Sequence, residues 1–234
     1  MKTKKTKTMY QQTDKFLKSL KAQIRSEFNH LSVLSFDELN VVRTTKETKE
    51  MFKRLLAFNL KEYRKIVTES RSYALSLLSE DERKKAEKET ADKHWQESFI
   101  DYVLTTYNWV TGYLYKKEAE RKRLRLSEEM LTAREFHDRK RYASSLSKTA
   151  NLWFTQSGQY AIDLEDQTCL RVWKKAGVKK VQWLAEDDHK TCSVCRKLDG
   201  QVFDIDKVPH KAHYNCRCVV IPYKDILDFV DNGE

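Results

Sequence analysis

The chain has 234 residues, enough for one large domain or two small ones whose core needs no covalent staples. A charged fraction of 34% beside a hydrophobic fraction of 40% suits long helices with wide solvated faces. The 45 Lys and Arg exceed the 35 Asp and Glu for a net charge of +10, which admits nucleic acid or an acidic protein surface as partner, and equally mere solubility, while no run approaches the ~20 apolar residues of a membrane span.

The opening "MKTKKTKTMYQQTDKF" carries the positive charge of a secretory signal without the apolar run that should follow it. The expectation is a protein kept in a reducing cytosol, where an odd number of cysteines clustered as CxxC and CxC suits metal binding better than disulfides. Gly112 is the sole breaker before Gly158, whereas Gly158, Gly177, Gly200, Pro209 and Pro222 crowd the last third. This predicts nearly unbroken helix over residues 1–150 and a smaller, frequently turning module over 151–234. The expected class is α-rich, α+β: long N-terminal helices followed by a small zinc-stabilised α+β C-terminal module.

Capping boxes beginning at Ser35 ("SFDE"), Thr44 ("TTKE") and Ser79 ("SEDE") predict helix starts, because a hydroxyl and a later glutamate satisfy orphan amide donors. Phe16, Leu20, Ile24 and Phe28 recur every four residues, as do Met51 with Leu55 and Tyr63 with Val67. The strongest stripe is Trp95, Phe99, Val103, Tyr107, Val110 and Leu114, read as a buried helix–helix seam. Tyr102, Trp109, Tyr113 and Tyr115 lie off that face and hint at a second interface. Basic runs at 116–126 and 137–142 fall on predicted helix; they read as a solvated face or, alternatively, as contacts to phosphates.

The chemistry concentrates late. Cys192-x-x-Cys195 is followed, after a gap of seventeen residues, by His213-x-x-Cys216-x-Cys218. A CxxC turn points two thiolates at one ion, and a second pair beyond a loop of 15–20 residues completes a tetrahedron. Cys192, Cys195, His213 and Cys216 fill four places, which leaves Cys218 and His210 over. Cys216 and Cys218 would share one face of a strand, so either serves as the fourth ligand. "LDGQVF" in the gap reads as a turn and strand, and Cys169 as a small buried hydrophobe. Asp187, Asp188 and His189 can be drawn as the metal cluster of a nuclease, with a structural zinc beside it. Asp188 is also a natural turn residue, and a closed site leaves no open position for substrate. Neither a His-x-Glu ahead of the cysteines, nor a Gly-rich phosphate loop, nor a Ser/His/Asp set is present. The expectation is a protein that is not an enzyme, with a metal-dependent nuclease or DNA-processing factor as the alternative.

In their order, Trp183, then Asp188, Thr191, Cys192 and Cys195, then Leu198, Asp199, Gly200 and Phe203, then His213, Asn215, Cys216, Arg217 and Cys218 resemble the C-terminal domain of tailed-bacteriophage minor head proteins, the family of the phage Mu head-morphogenesis protein. The likeness covers roughly residues 145–223. It departs at Tyr214, where family members commonly have proline. The resemblance implies a minor capsid component of the virion, found in the host cytoplasm during assembly and bound to the portal protein at one vertex. It also implies other head or scaffold proteins as partners, nonspecific contact with packaged or ejected DNA, no membrane and no catalysis. One structural zinc ion is expected on Cys192, Cys195, His213 and either Cys216 or Cys218, with Asp188 and Arg217 orienting the site or its loops.

Overall fold

A computed structural model describes residues 11–90, 93–106, 115–186, 188–213 and 216–224. The amino-terminal lysine cluster lies outside them, as do Tyr107, Trp109, Val110, Gly112, Tyr113, Leu114, Asp187, Tyr214, Asn215 and the side chains of Trp95 and Tyr115. The described helices are α1 (Gln11–Ser32), α2 (Val41–Ser76), α3 (Glu80–Thr90), α4 (Lys93–Thr106), α5 (Tyr115–Glu135) and α6 (Arg139–Ala176). There follow β1 (Lys180–Leu184), the short α7 (Ser193–Leu198), β2 (Val202–Asp204) and β3 (Val219–Pro222). The architecture is the expected α-rich, α+β one.

The period-four stripes become the first core. Phe16, Leu20, Ile24 and Phe28 of α1 meet Met51, Leu55, Tyr63 and Val67 of α2, and Trp153, Tyr160 and Leu164 of α6. Each such side chain contributes roughly 1.5–3 kcal/mol by leaving water. Phe99 and Val103 of α4 join them, as a seam requires, while Tyr102 stays half-exposed and stacks on Phe99 at 6.4 Å. Buried polar pins set the helix spacing: Asn59 Nδ2 donates to Ser157 Oγ (2.8 Å), Tyr63 Oη to the Ser157 carbonyl (2.9 Å) and Tyr142 Oη to the Leu31 carbonyl (2.6 Å).

Helix starts differ from expectation at two of the three boxes. Ser79 caps α3 as expected: the Glu82 carboxylate accepts from its backbone N–H (2.8 Å) and its hydroxyl (2.7 Å). Ser35 opens only a three-residue 3-10 turn and makes no capping bond. Thr44 lies buried inside α2, whose cap is Asn40, its amide oxygen accepting from Arg43 N at 2.9 Å. Asparagine is the stronger cap and took the start four residues earlier. The basic run at 137–142 is likewise split, since His137 (φ 49°) and the N-cap Asp138 form the turn into α6.

α6 passes residues 150 and 158 without a break. Its 38 residues span about 57 Å and touch α1, α2, α3, α5 and β3. Gly158, expected to interrupt, costs a helix about 1 kcal/mol, which burial on every side offsets, for residues 157–166 are all buried. The helix stops at Gly177 (φ 97°), whose N–H reaches the Lys174 carbonyl while Val178 N–H reaches that of Trp173. That pair of bonds is a Schellman motif, which requires the left-handed backbone glycine accepts.

A second core begins where the first ends. Ala74 and Leu75 of α2, Ala86 of α3, and Ile162, Cys169, Val172 and Trp173 of α6 pack against Val181, Trp183 and Leu184 of β1, Val219 and Val220 of β3 and the buried cysteines. The antiparallel sheet has order β2-β1-β3, with Val181 opposite Phe203 on one side and Pro222 on the other. Cys169 is fully buried; its thiol points at the Ser70 carbonyl (3.6 Å), and burial holds its pKa far above the ordinary value.

Candidate metal centre

The loop after β1 is tied down before it reaches the first cysteine. Asp188 accepts from Lys190 N (3.0 Å) and Thr191 Oγ1 (3.2 Å), an Asx turn that reverses the chain. Cys192 then caps α7, its sulfur accepting from Cys195 N at 3.4 Å. One helical turn therefore brings both thiols to the same side. The return is fastened by Asp199, which accepts from Ala185 N (2.9 Å), and by Gly200 (φ 79°), whose N–H donates to the Trp183 carbonyl (2.8 Å).

The second limb is held from two sides. Arg217 forms a bidentate pair with Asp188, both contacts 2.7 Å, which bridges the CxxC loop to the CxC segment; that segment is not the expected strand, since β3 begins only at Val219. Hydrogen bonding from Arg217 holds the Asp188 carboxyl well below the usual range. Lys211 is buried, with its ammonium 3.2 Å from Asp166 of α6, 5.0 Å from the Trp183 ring centre and donating to the Cys218 carbonyl. Burial opposes its charge, but Asp166 and the neighbouring sulfurs raise its pKa all the same. Lys211 and Asp166 were not legible in the sequence: one is a lone lysine between two histidines, the other lies in an acidic run.

Five donor atoms converge as two overlapping triads. The ligand atoms of Cys192, Cys195 and His213 lie within 4.8 Å of one another, as do those of Cys195, Cys216 and Cys218. Cys195 Sγ is 3.8 Å from His213 Nε2 and 3.6 Å from Cys216 Sγ. A tetrahedral zinc with Zn–S of about 2.3 Å separates neighbouring ligand atoms by about 3.8 Å, so these spacings are the edges a metal imposes. A disulfide would bring sulfurs to about 2.05 Å, and all five cysteines are free. The thiols are not equivalent. A hydrogen bond from Cys218 and the Lys211 charge, against burial, bring Cys216 down to about 5. The Cys195 backbone N–H lowers Cys192, whereas burial pushes Cys195 up to about 12 and the bond to Cys216 raises Cys218. Thiols lowered at Cys192 and Cys216 beside thiols raised at Cys195 and Cys218 are a donor set that a soft cation completes by displacing protons.

All five sequence-derived candidates are thus brought together, and the cluster can hold a metal ion. His210 belongs to neither triad. The nuclease-like grouping is not assembled among the described residues: Asp188 is spent on Arg217, Lys190 and Thr191, and His189 is exposed.

Residues 132–221 match the family model described as Phage Mu protein F like protein. No curated protein and no solved structure matches the chain. The matched stretch runs from the end of α5 through α6 and β1 and β2 into β3, so it contains the Cys/His cluster together with the helix on which the cluster rests. No described helix is long and apolar enough to cross a membrane.

Proposed function

From a Phage Mu protein F like stretch that begins just before α6 and ends in β3, we propose that this chain is a minor capsid protein that binds the portal of a phage head. The single observation that carries the reading is the coincidence of that stretch with a structurally supported Cys/His cluster. Residues 1–150 supply the docking helices, and residues 151–234 form the module that the cluster closes. Within it, one structural zinc ion is held by Cys195, His213, Cys192 and either Cys216 or Cys218. Zinc suits the mixed thiolate and imidazole donors, and its contribution is a cross-link between the CxxC turn and the CxC segment that leads into β3, not a reaction. Asp188 and Arg217 keep those two limbs in register. The role is structural, its site is the virion, and the net charge of +10 suits neighbouring packaged DNA during filling and ejection.

The test is capture of the full chain by purified portal rings, followed by its detection in proheads assembled in its presence. Retention on the portal and a low-copy band in the particles are expected. A chain that neither binds portal rings nor enters proheads would overturn the proposal.

A further inference from the structure

The outer seam between α5 and α6 opens into a cavity of about 500 Å³ whose lining, Leu126 of the first core apart, belongs to neither core nor to the cysteine cluster. Its walls run from Arg121 to Glu129 on α5 and from Ser145 to Gln156 on α6. At 1.5 Å per residue those walls are roughly 14 and 18 Å long, the length of two to three turns of a helix laid alongside. The floor is apolar at Leu126, which is buried, and Leu152, which is 50% exposed.

The rim is charged in one sense. Two acids stand near it, and both are neutralised within the fold. Glu118 is 2% exposed and accepts from Arg121 (2.9 Å), Lys122 (2.8 Å) and Gln156 (3.2 Å). Burial works against its charge, yet those donors hold its pKa at about 2. Glu129 is paired with Arg141 at 2.9 Å. Arg125 and Lys148 are exposed and carry no ion pair among the described residues. The contacts Glu129–Ser145 and Glu118–Gln156 fix an antiparallel register that sets residue 125 opposite residues 148–149. Lys148 and Arg125, the latter adding to the positive field on Glu129 without forming an ion pair, therefore stand opposite each other across an apolar trough.

We propose that this groove binds an acidic amphipathic helix of a protein partner, its leucine-like face on Leu126 and Leu152 and its carboxylates between Arg125 and Lys148. Helix-in-groove docking needs such an apolar floor with a charged rim. A phosphate backbone has no use for the floor, which is why a protein segment is favoured over DNA. Complementary charge at the rim sets orientation and association rate, while the buried leucine contacts set residence. The inference concerns the groove alone and does not depend on the identity of the head partner.

The experiment uses the full chain and a labelled peptide of about 14 residues, with leucines at i, i+3, i+4 and i+7 and Asp or Glu elsewhere. Binding by fluorescence anisotropy should fall at least about tenfold in Arg125→Glu/Lys148→Glu and about threefold in Leu152→Ser. Lys18→Glu/Lys21→Glu, which makes the same change of net charge on the exposed face of α1, should leave it unaltered. Helix content by circular dichroism checks that each variant is folded. Four results would overturn the proposal: no peptide binding, equal binding of a leucine-free acidic peptide, equal loss in the α1 variant, or tighter binding of duplex DNA lost with the same groove variant. Failure here leaves portal capture untouched, and failure of portal capture leaves the groove standing.

Discussion

The two cores of this protein are held by different means. The first is a long seam of α1, α2, α4, α5 and α6 in which many apolar side chains each contribute a little. The second, on the C-terminal third of α6, has strands of three to five residues and depends on a few groups that each do much: Cys195 in both triads, Lys211 against Asp166, and Arg217 against Asp188. A small sheet cannot bury enough surface to stand alone, so it borrows α6 on one side and donor-atom chemistry on the other. Redundancy protects the first core; the second has almost none.

Removing the proposed zinc ion should break that contrast open most widely. A chelator, or Cys195→Ser, should cost the module on the order of 10 kcal/mol of zinc-linked stability. Hydrogen exchange should then rise across residues 180–222 while α1 and α2 stay protected. Equal loss in both regions would show one cooperative unit.

Next in size is Trp153→Ala, which tests the redundancy of the bundle. Trp153 packs edge-on against Phe52 at 5.4 Å and is buried. The expected cost is about 4 kcal/mol, read from the urea midpoint, with metal content unchanged. Release of the metal would mean that the cores are coupled through α6.

Lys211→Met probes the junction itself. It leaves Asp166 buried without its cation, at about 3 kcal/mol, and removes the charge that helps lower the Cys216 thiol. The double variant Lys211→Met/Asp166→Leu should regain most of the stability but not the zinc affinity, measured by competition with a chromogenic chelator.

The smallest effect depends on pH. Asp163 is buried in α6, and burial raises its pKa from 3.8 to about 7 despite a hydrogen bond from Gln159 (2.8 Å). A carboxyl raised in the folded state stabilises fully below its unfolded pKa and loses that contribution as pH rises to its folded one. Stability should therefore decline between about pH 4 and pH 7, and Asp163→Asn should flatten the decline. An unchanged slope would place the proton elsewhere.

Period-four stripes such as Phe16 to Phe28 were legible because a helix facing a core leaves that spacing in the chain. Cysteine spacing was legible because ligand geometry restricts the gaps. Gly158 and Thr44 misled for a shared reason: local preference is worth about 1 kcal/mol, and surrounding packing or a stronger cap outweighs it. The Lys211–Asp166 pair was invisible because it joins residues far apart in the chain, each with the composition of an ordinary surface. The groove between α5 and α6 was half visible, since the basic run at 116–126 showed charge but not that Glu118 would consume part of it.

The unbroken length of α6 has a mechanical consequence. From Lys148 to Ala176 the helix rises about 42 Å, and every intrahelical bond along that path must stretch before its ends separate. A partner seated at the groove and a surface touched by the cysteine module are therefore kept at a set distance, as by a strut. In a shell under the pressure of packed genome, such a member would carry load between two attachment points without changing the spacing of either.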